Sequence, residues 1–179
     1  NVDGDGAVAI GYQAGYSGTG ADTGSIYIGK EAGKLATEPN DFIGFGSGQS
    51  NTVGFHNTMF GYQSFIANTN GDKNTGIGRE VLKAATTANN NTAVGYQALT
   101  ANTTGSENTA VGAIALDANT TGENNVAVGY LALSANTTAS KNTAVGVGAA
   151  KLNTTGTENC AFGVDSLDAN TTGTENCAF

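Results

Sequence analysis

The sequence is poor in the residues from which most catalytic and metal sites are built. Its 179 residues include one His, two Cys, one Pro and no Trp, and charged residues make up 12%, about half the usual ~25%. No Ser/His/Asp grouping, phosphate-binding loop or zinc-ligand spacing is present. We therefore expect no enzyme activity, no cofactor and no metal.

The charge and hydropathy patterns narrow the classes of partner. The net charge of −8 disfavours an electrostatic hold on nucleic acid or on an anionic membrane. No apolar run approaches the roughly 18 residues that a membrane-spanning helix needs. The sequence thus predicts neither nucleic-acid binding nor membrane insertion of this segment.

A glycine recurs with a fixed period and organises the chain. Successive members of this column are 17 residues apart, after two upstream spacings of 18 and 15. A period near 20 residues is typical of solenoids. We predict a single repeat array over 1–179, irregular in 1–90 and regular in 91–179. Because the pattern runs to both ends, we also expect this chain to be part of a longer one. The column is Gly11, Gly29, Gly44, Gly61, Gly78, Gly95, Gly112, Gly129, Gly146 and Gly163.

The segments around this glycine favour strands over helices. The residue before it is always apolar and mostly β-branched or aromatic, and the apolar stretches are too short for a helix. We predict two short strands per unit, such as 92–95 and 98–101. A lone 17-residue unit cannot bury an apolar face, so each strand pairs in parallel with its copy in the next unit. The expected fold is all-β: a parallel β-solenoid, or β-roll, with about 17 residues per coil and a length on the order of 50 Å.

Strand alternation predicts which columns face inward. We expect the Val column before the glycine (for example Val111) and the Leu column (for example Leu116) to fill a thin interior. The intervening Ala column then points outward, either as ordinary exposed alanine or as a face that packs against a second chain. The predicted oligomer face comprises Ala93, Ala110, Ala127, Ala144 and Ala161.

The repeated motifs resemble a known group of fibrous proteins. "VAIG" at 8–11, "VAVG" at 126–129 and the recurrent "NTAVG" resemble the head repeats of YadA-like trimeric autotransporter adhesins. They are equally similar to the "NTAVGYQAL" repeats of tail fibres from bacteriophages and related particles. The resemblance implies a left-handed β-roll, three chains side by side, and a fibrous role outside the cell or on a virion. The 17-residue period, longer than the adhesin repeat, favours the tail-fibre branch.

Aromatic residues often follow the repeat glycine. They could stack on the sugars of a surface glycan, or they could cover the thin core as corner residues. A cell-surface glycan or protein receptor is therefore a candidate partner. The residues are Tyr12, Phe45, Tyr62, Tyr96 and Tyr130.

Several other residues could be functional, but a structural role explains each of them more simply. His56 is predicted to be a polar corner residue, and "DGDG" at 3–6 a turn rather than a calcium loop. Cys160 and Cys177 share one column and are predicted to be stacked free thiols that fill space. The "NTT" corners satisfy a glycosylation rule, but Asn and Thr also suit tight turns. They begin at Asn102, Asn119, Asn136, Asn153 and Asn170.

The predicted function is structural. We expect the shaft or head of a homotrimeric fibre, located extracellularly, on a cell surface or on a virion, with a role in host or surface attachment. One alternative is a self-assembling extracellular filament without a specific receptor. An alternative of another class is an ice-binding β-solenoid, although the adjacent Thr residues of the corners do not form a flat array.

Overall fold

A computed structural model describes residues 6–17 and 24–179; the first three residues of the predicted 3–6 turn lie outside these ranges. The described chain forms one sheet of 11 parallel strands, whose spatial order follows the sequence. The strands are β1 (Val8–Ile10), β2 (Ile26–Ile28), β3 (Asp41–Ile43), β4 (Thr58–Phe60), β5 (Thr75–Ile77), β6 (Thr92–Val94), β7 (Thr109–Val111), β8 (Val126–Val128), β9 (Thr143–Val145), β10 (Cys160–Phe162) and β11 (Cys177–Ala178).

Each coil contributes one strand, and equivalent residues pair across coils. Thr92 pairs with Thr109, Ala93 with Ala110 and Val94 with Val111. The 18-residue and 15-residue coils keep this register: Ile10 pairs with Ile28, and Ile28 pairs with Ile43. The predicted parallel β-solenoid of about 17 residues per turn is confirmed. Ten spacings of about 4.8 Å make a rod roughly 48 Å long.

The predicted second strand of each unit is wrong. Residues 96–101 form turns in the structure. The backbone is left-handed at Gln97 (φ 55°) and at Leu99 (φ 52°), so the chain curls back instead of extending. Hydrogen bonds still join this side of neighbouring coils, as from the Leu99 amide to the Ala115 carbonyl at 3.1 Å. The curl brings the leucine side chain into the interior of a narrow coil.

The repeated glycine marks the point where each strand turns the corner. Gly95 has φ 135°, and a Cβ built on it would collide with the carbonyl of Gly112 in the next coil. Any side chain here would push neighbouring coils apart. This close approach explains why glycine recurs once in every coil.

The assignment of interior columns needs one correction. The Leu column is buried as predicted, with Leu99 and Leu116 at 0% exposure, but the Val column faces outward and Val111 is 37% exposed. The middle residue of each three-residue strand, such as Ala110, occupies the interior instead, also at 0%. The corner at the glycine and the left-handed turn leave space inside for one leucine and one small residue per coil.

Core volume is balanced within several coils between the middle strand residue and the residue six positions later. Most regular coils pair Ala with Leu, as at Ala110 and Leu116. Two irregular coils pair a large ring with glycine, since a Cβ on Gly33 would collide with Tyr27, and the same relation holds for Phe42 and Gly48. The next coil buries Met59 together with Phe65, and its volume is offset in the neighbouring coil, because a Cβ on Gly76 would collide with the Met59 side chain.

Two buried asparagine ladders run along the rod. In the first ladder, Oδ1 of Asn91 accepts from the backbone N of Asn108 at 3.0 Å and from its Nδ2 at 3.2 Å. Nδ2 of Asn108 also donates across the coil to the Gly122 carbonyl at 2.9 Å. Buried polar groups are costly unless paired, and here the same pairs recur coil after coil. This ladder comprises Asn40, Asn57, Asn74, Asn91, Asn108, Asn125, Asn142, Asn159 and Asn176.

The second ladder holds the "NTT" corners. Nδ2 of Asn119 donates to Oδ1 of Asn102 at 2.8 Å and to the Gly122 carbonyl at 3.0 Å. Asn102 and Asn119 are 0% exposed, so their side chains are engaged inside the corner, in agreement with the turn interpretation. The ladder is interrupted at Ala85, which is buried at the equivalent position.

Candidate functional site: the outer sheet face

The outward side of the sheet carries two parallel rows of side chains, which we call the outer face. The first and third residues of each strand project there, because the middle residue points inward. The Thr row consists of Thr58, Thr75, Thr92, Thr109 and Thr143, and the Val row consists of Ile77, Val94, Val111, Val128 and Val145. The equivalent positions in the N-terminal coils are mostly isoleucine, such as Ile10 at 59% exposure.

The outer face is almost free of charge. Among the first and third positions of β1–β10, Asp41 is the one charged residue. The protein as a whole carries 22 acidic and basic side chains, 15 and 7 respectively, so these lie almost entirely elsewhere. A continuous apolar row on a face with a single charged position is typical of a surface that another body covers.

The hydroxyls of the Thr row have no hydrogen-bond partner within the described part of the chain. Thr75, Thr92 and Thr109 differ in this from the corner threonines, such as Thr103, whose hydroxyl donates to the Thr120 carbonyl at 2.9 Å. The row therefore offers free hydroxyls at intervals of about one strand spacing, ~4.8 Å. The sequence analysis did not identify the Thr row and considered only the adjacent threonines of the corners. The signal is a threonine three residues before the repeat glycine, as at Thr92 and Gly95.

The predicted Ala oligomer face is not on the surface. Its five residues line the coil interior at 0% exposure, so they present nothing to a second chain. The residues that do face outward are their neighbours in the Thr and Val rows. The five interior residues that were predicted to form the oligomer face are Ala93, Ala110, Ala127, Ala144 and Ala161.

The five candidate aromatics all lie at the surface beside the outer face, between 38% and 67% exposed. They do not cover the core. Phe45 and Tyr62 stack at 5.3 Å with their planes 13° apart, and cations approach the outer ring faces: Lys30 at 5.5 Å from Phe45 and Arg79 at 5.4 Å from Tyr62. Lys30 also lies 6.0 Å from the ring of Tyr12.

This stacking limits what the aromatic column can bind. A sugar ring stacks on an aromatic face, and the faces of Phe45 and Tyr62 are occupied by each other and by the two cations. Tyr96 and Tyr130 are separated by Ala113 in their column and are 45% and 49% exposed. Among the five, these two tyrosines keep the most freedom to contact a ligand.

The two cysteines lie on the outer face, where they replace threonine. Cys160 and Cys177 pair in register and both are free thiols, half-buried and exposed respectively. Desolvation by burial, together with the neighbouring Cys177 thiol, raises the pKa of Cys160. Beside them Phe162 and Phe179 stack at 5.9 Å.

His56 and Asp117 are two further titratable residues of interest. His56 is exposed at a corner with φ 56°, as predicted, and its ring meets the edge of Phe55 at 4.9 Å. Asp117, on the turn side, has a buried Oδ1 without a hydrogen-bond partner. Desolvation raises the pKa of Asp117, opposed by hydrogen bonds from the backbone of Asp117 and Ala118.

Within residues 6–17 and 24–179, no three His, Cys, Asp or Glu side chains gather as metal ligands would. No helix in the same ranges has the length and apolarity that a membrane crossing requires. Comparison with known proteins found no matching family model, no matching curated protein and no matching solved structure.

Proposed function

We propose that this chain is a rigid segment of an extracellular or virion surface fibre, built from three copies that associate through their outer faces. The proposal assigns no reaction to the protein. Its work is extension, stiffness and attachment, in keeping with the resemblance of the repeats to adhesin heads and tail fibres. The observation that carries it is the uncharged, apolar outer face on a chain whose other charges lie elsewhere.

Stiffness follows from the interior. Most coils are tied to the next by three strand residues, by turn-side hydrogen bonds and by at least one of the asparagine ladders. Bending the rod would break equivalent bonds on several sides of a coil at once. In a solenoid each coil contacts only its neighbours, so length can grow by repetition without a larger core.

The area of the outer face suits self-association. A strip of about 48 Å by about 14 Å covers roughly 700 Å². It includes the aromatic column beside the Val row, in which Lys30 and Arg79 contribute two cations. Stable interfaces bury about 800 Å² per partner. Three outer faces meeting around a common axis would remove Val111 and its equivalents from water, at about 25 cal/mol per Å² of apolar surface.

Sedimentation velocity of the chain at micromolar concentration tests this proposal. We expect a trimer for the native sequence. Val111→Glu with Val128→Glu should give folded monomers, because like charges would be buried together at the axis. Thr104→Glu with Thr121→Glu is the matched control, since these exposed corner residues lie in adjacent coils off the outer face. A native chain that sediments as a monomer would overturn the proposal.

The Thr row favours a second candidate, an ice-binding solenoid. Its free hydroxyls and methyl groups recur on a parallel sheet beside the Val row, with one interruption at Val126. Such an array can order water into a lattice. A monomer that shows thermal hysteresis, lost in Thr92→Lys with Thr109→Lys and kept in Thr104→Lys with Thr121→Lys, would establish this function. A trimer without thermal hysteresis would reject it.

A further inference from the structure

Two coils depart from the 17-residue period, and unusual residues gather at the shorter one. The coil between Gly29 and Gly44 spans 15 residues instead of 17. It brings Pro39, the single proline, and Asp41, the one charged residue of the outer strand positions, beside His56, the single histidine. Departures from an otherwise uniform pattern are where function is expected.

These residues line one surface cavity of about 320 Å³. Gly24, Asn40, Asn57 and Thr58 complete the wall of the cavity. The two asparagines belong to the first ladder, and their side chains are engaged with each other, Nδ2 of Asn57 donating to Oδ1 of Asn40 at 3.0 Å. They form a fixed wall, so the three other polar side chains, those of Asp41, His56 and Thr58, decide what the cavity binds.

Those three side chains keep hydrogen-bonding capacity for a ligand. Asp41 uses Oδ1 to accept from the backbone N of Ile26 at 3.1 Å, and this bond holds the carboxylate in place while Oδ2 stays free. The backbone N of His56 donates to the Pro39 carbonyl at 2.7 Å, which fixes the corner. The imidazole nitrogens and the Thr58 hydroxyl have no hydrogen-bond partner among residues 6–17 and 24–179.

We infer that this cavity is a binding site for a neutral sugar ring. Asp41, His56 and Thr58 all line this cavity, and a carboxylate oxygen, an imidazole and a hydroxyl can accept from and donate to adjacent sugar hydroxyls. The volume lies at the lower end of the range for small-molecule sites, which suits one ring rather than an extended chain. The inference rests on the proposed attachment role, which it makes specific. It requires the trimer contact to leave uncovered the strand starts at Asp41 and Thr58, which belong to the outer face.

Other ligand classes fit the cavity less well. An anion would meet the Asp41 carboxylate on a chain of net charge −8. A metal ion would find too few ligands, since no group of three His, Cys, Asp or Glu occurs in the described ranges. An apolar ligand would leave the free carboxylate oxygen and hydroxyl unpaired, which costs free energy.

The test is a titration of the full chain with methyl glycosides of glucose, galactose, mannose and N-acetylglucosamine, followed by NMR chemical shifts and saturation transfer. We expect one glycoside to shift resonances of Asp41, His56 and Thr58, with a dissociation constant of about 1 mM, as for a weakly held small ligand. Asp41→Asn, which keeps an acceptor for Ile26, and His56→Phe should each weaken binding about tenfold or more.

Lys73→Gln is the matched control, because Lys73 occupies the same corner one coil later and has the same left-handed backbone, φ 57°. It should leave binding unchanged. The inference is overturned if no glycoside shifts these three residues, or if Asp41→Asn and His56→Phe bind as the native chain does while their circular dichroism stays native. Sedimentation of the same samples reports on the trimer separately, so the fibre proposal and the sugar site can fail independently.

Discussion

Asn91 accepts two hydrogen bonds from Asn108, the equivalent residue one coil further along, at 3.0 Å from its backbone N and 3.2 Å from its side chain. A single buried oxygen thus satisfies a backbone amide and a side-chain amide of the next coil. Since the relation repeats from Asn40 to Asn176, these side-chain hydrogen bonds join neighbouring coils in addition to the hydrogen bonds of the sheet.

Replacing one rung of this ladder should be costly. Asn108→Ala leaves the Gly122 carbonyl and the backbone N of Asn125 without their partners, and we expect a loss of about 2–4 kcal/mol in the free energy of unfolding. Asn108→Asp should cost more, because it buries a carboxylate. Urea titrations followed by circular dichroism give the values. Thr104→Ser, at an exposed corner, should change stability by less than about 0.5 kcal/mol, and a similar loss for both sites would contradict the role of the ladder.

The pairing of a large ring with glycine, seen at Phe42 and Gly48, can be introduced into the regular coil that contains Ala110 and Leu116. Ala110→Phe alone should destabilise the protein by about 3 kcal/mol, through overpacking. Leu116→Gly alone should cost about 2–4 kcal/mol for the cavity, a little offset by its left-handed backbone, φ 53°. The double variant copies the Phe42 and Gly48 pair and should be at least about 2 kcal/mol more stable than additivity predicts. A thermodynamic cycle with purely additive terms would refute the pairing.

Asp117 should weaken the folded state at neutral pH. Its pKa in the folded state lies above the ordinary value because of desolvation, so folding favours the protonated carboxyl. The stability that it contributes is therefore greatest below the unfolded-state pKa of about 3.9. This contribution falls as pH rises from there through the raised folded-state pKa.

Asp117→Asn should accordingly raise the melting temperature at pH 7, by about 1–2 °C for a partly buried group. The gain should shrink towards zero at acid pH. Differential scanning calorimetry across the pH range measures it. Asp168→Asn, at the equivalent but exposed position three coils later, serves as the control and should show no gain. An Asp117→Asn gain that is the same at pH 3 and pH 7 would rule out this origin.

The two thiols should differ in reactivity. Cys177 is exposed, whereas Cys160 is half-buried and has a raised pKa, so it forms less of the reactive thiolate. In single variants, Cys160→Ser should therefore react with a chromogenic aryl disulfide several-fold faster at pH 8 than Cys177→Ser. Stopped-flow absorbance follows both. Equal rates in the native protein and after unfolding in urea would show that the fold does not control the thiols.

The period and the class of fold could be predicted from the sequence because they depend on recurrence alone. Glycines 17 residues apart, each after a short β-branched stretch, can be satisfied by stacking equivalent residues in parallel. Any other register would place side chains on the Gly95 and Gly112 column, where the backbones approach too closely. Burial of the Leu column followed from the same reasoning, since leucine was the largest recurrent apolar residue.

Which strand residues face inward was decided only by the tertiary structure. Ala110 and Val111 are both apolar, so hydropathy does not distinguish the two faces of a three-residue strand. The left-handed turn at Ile114 and Leu116, φ 57° and 53°, brings the leucine inside, and the space that it leaves fits alanine rather than valine. Tertiary structure likewise assembled the 320 Å³ cavity, because Asp41 and His56 meet only through stacking of a shortened coil on a regular one.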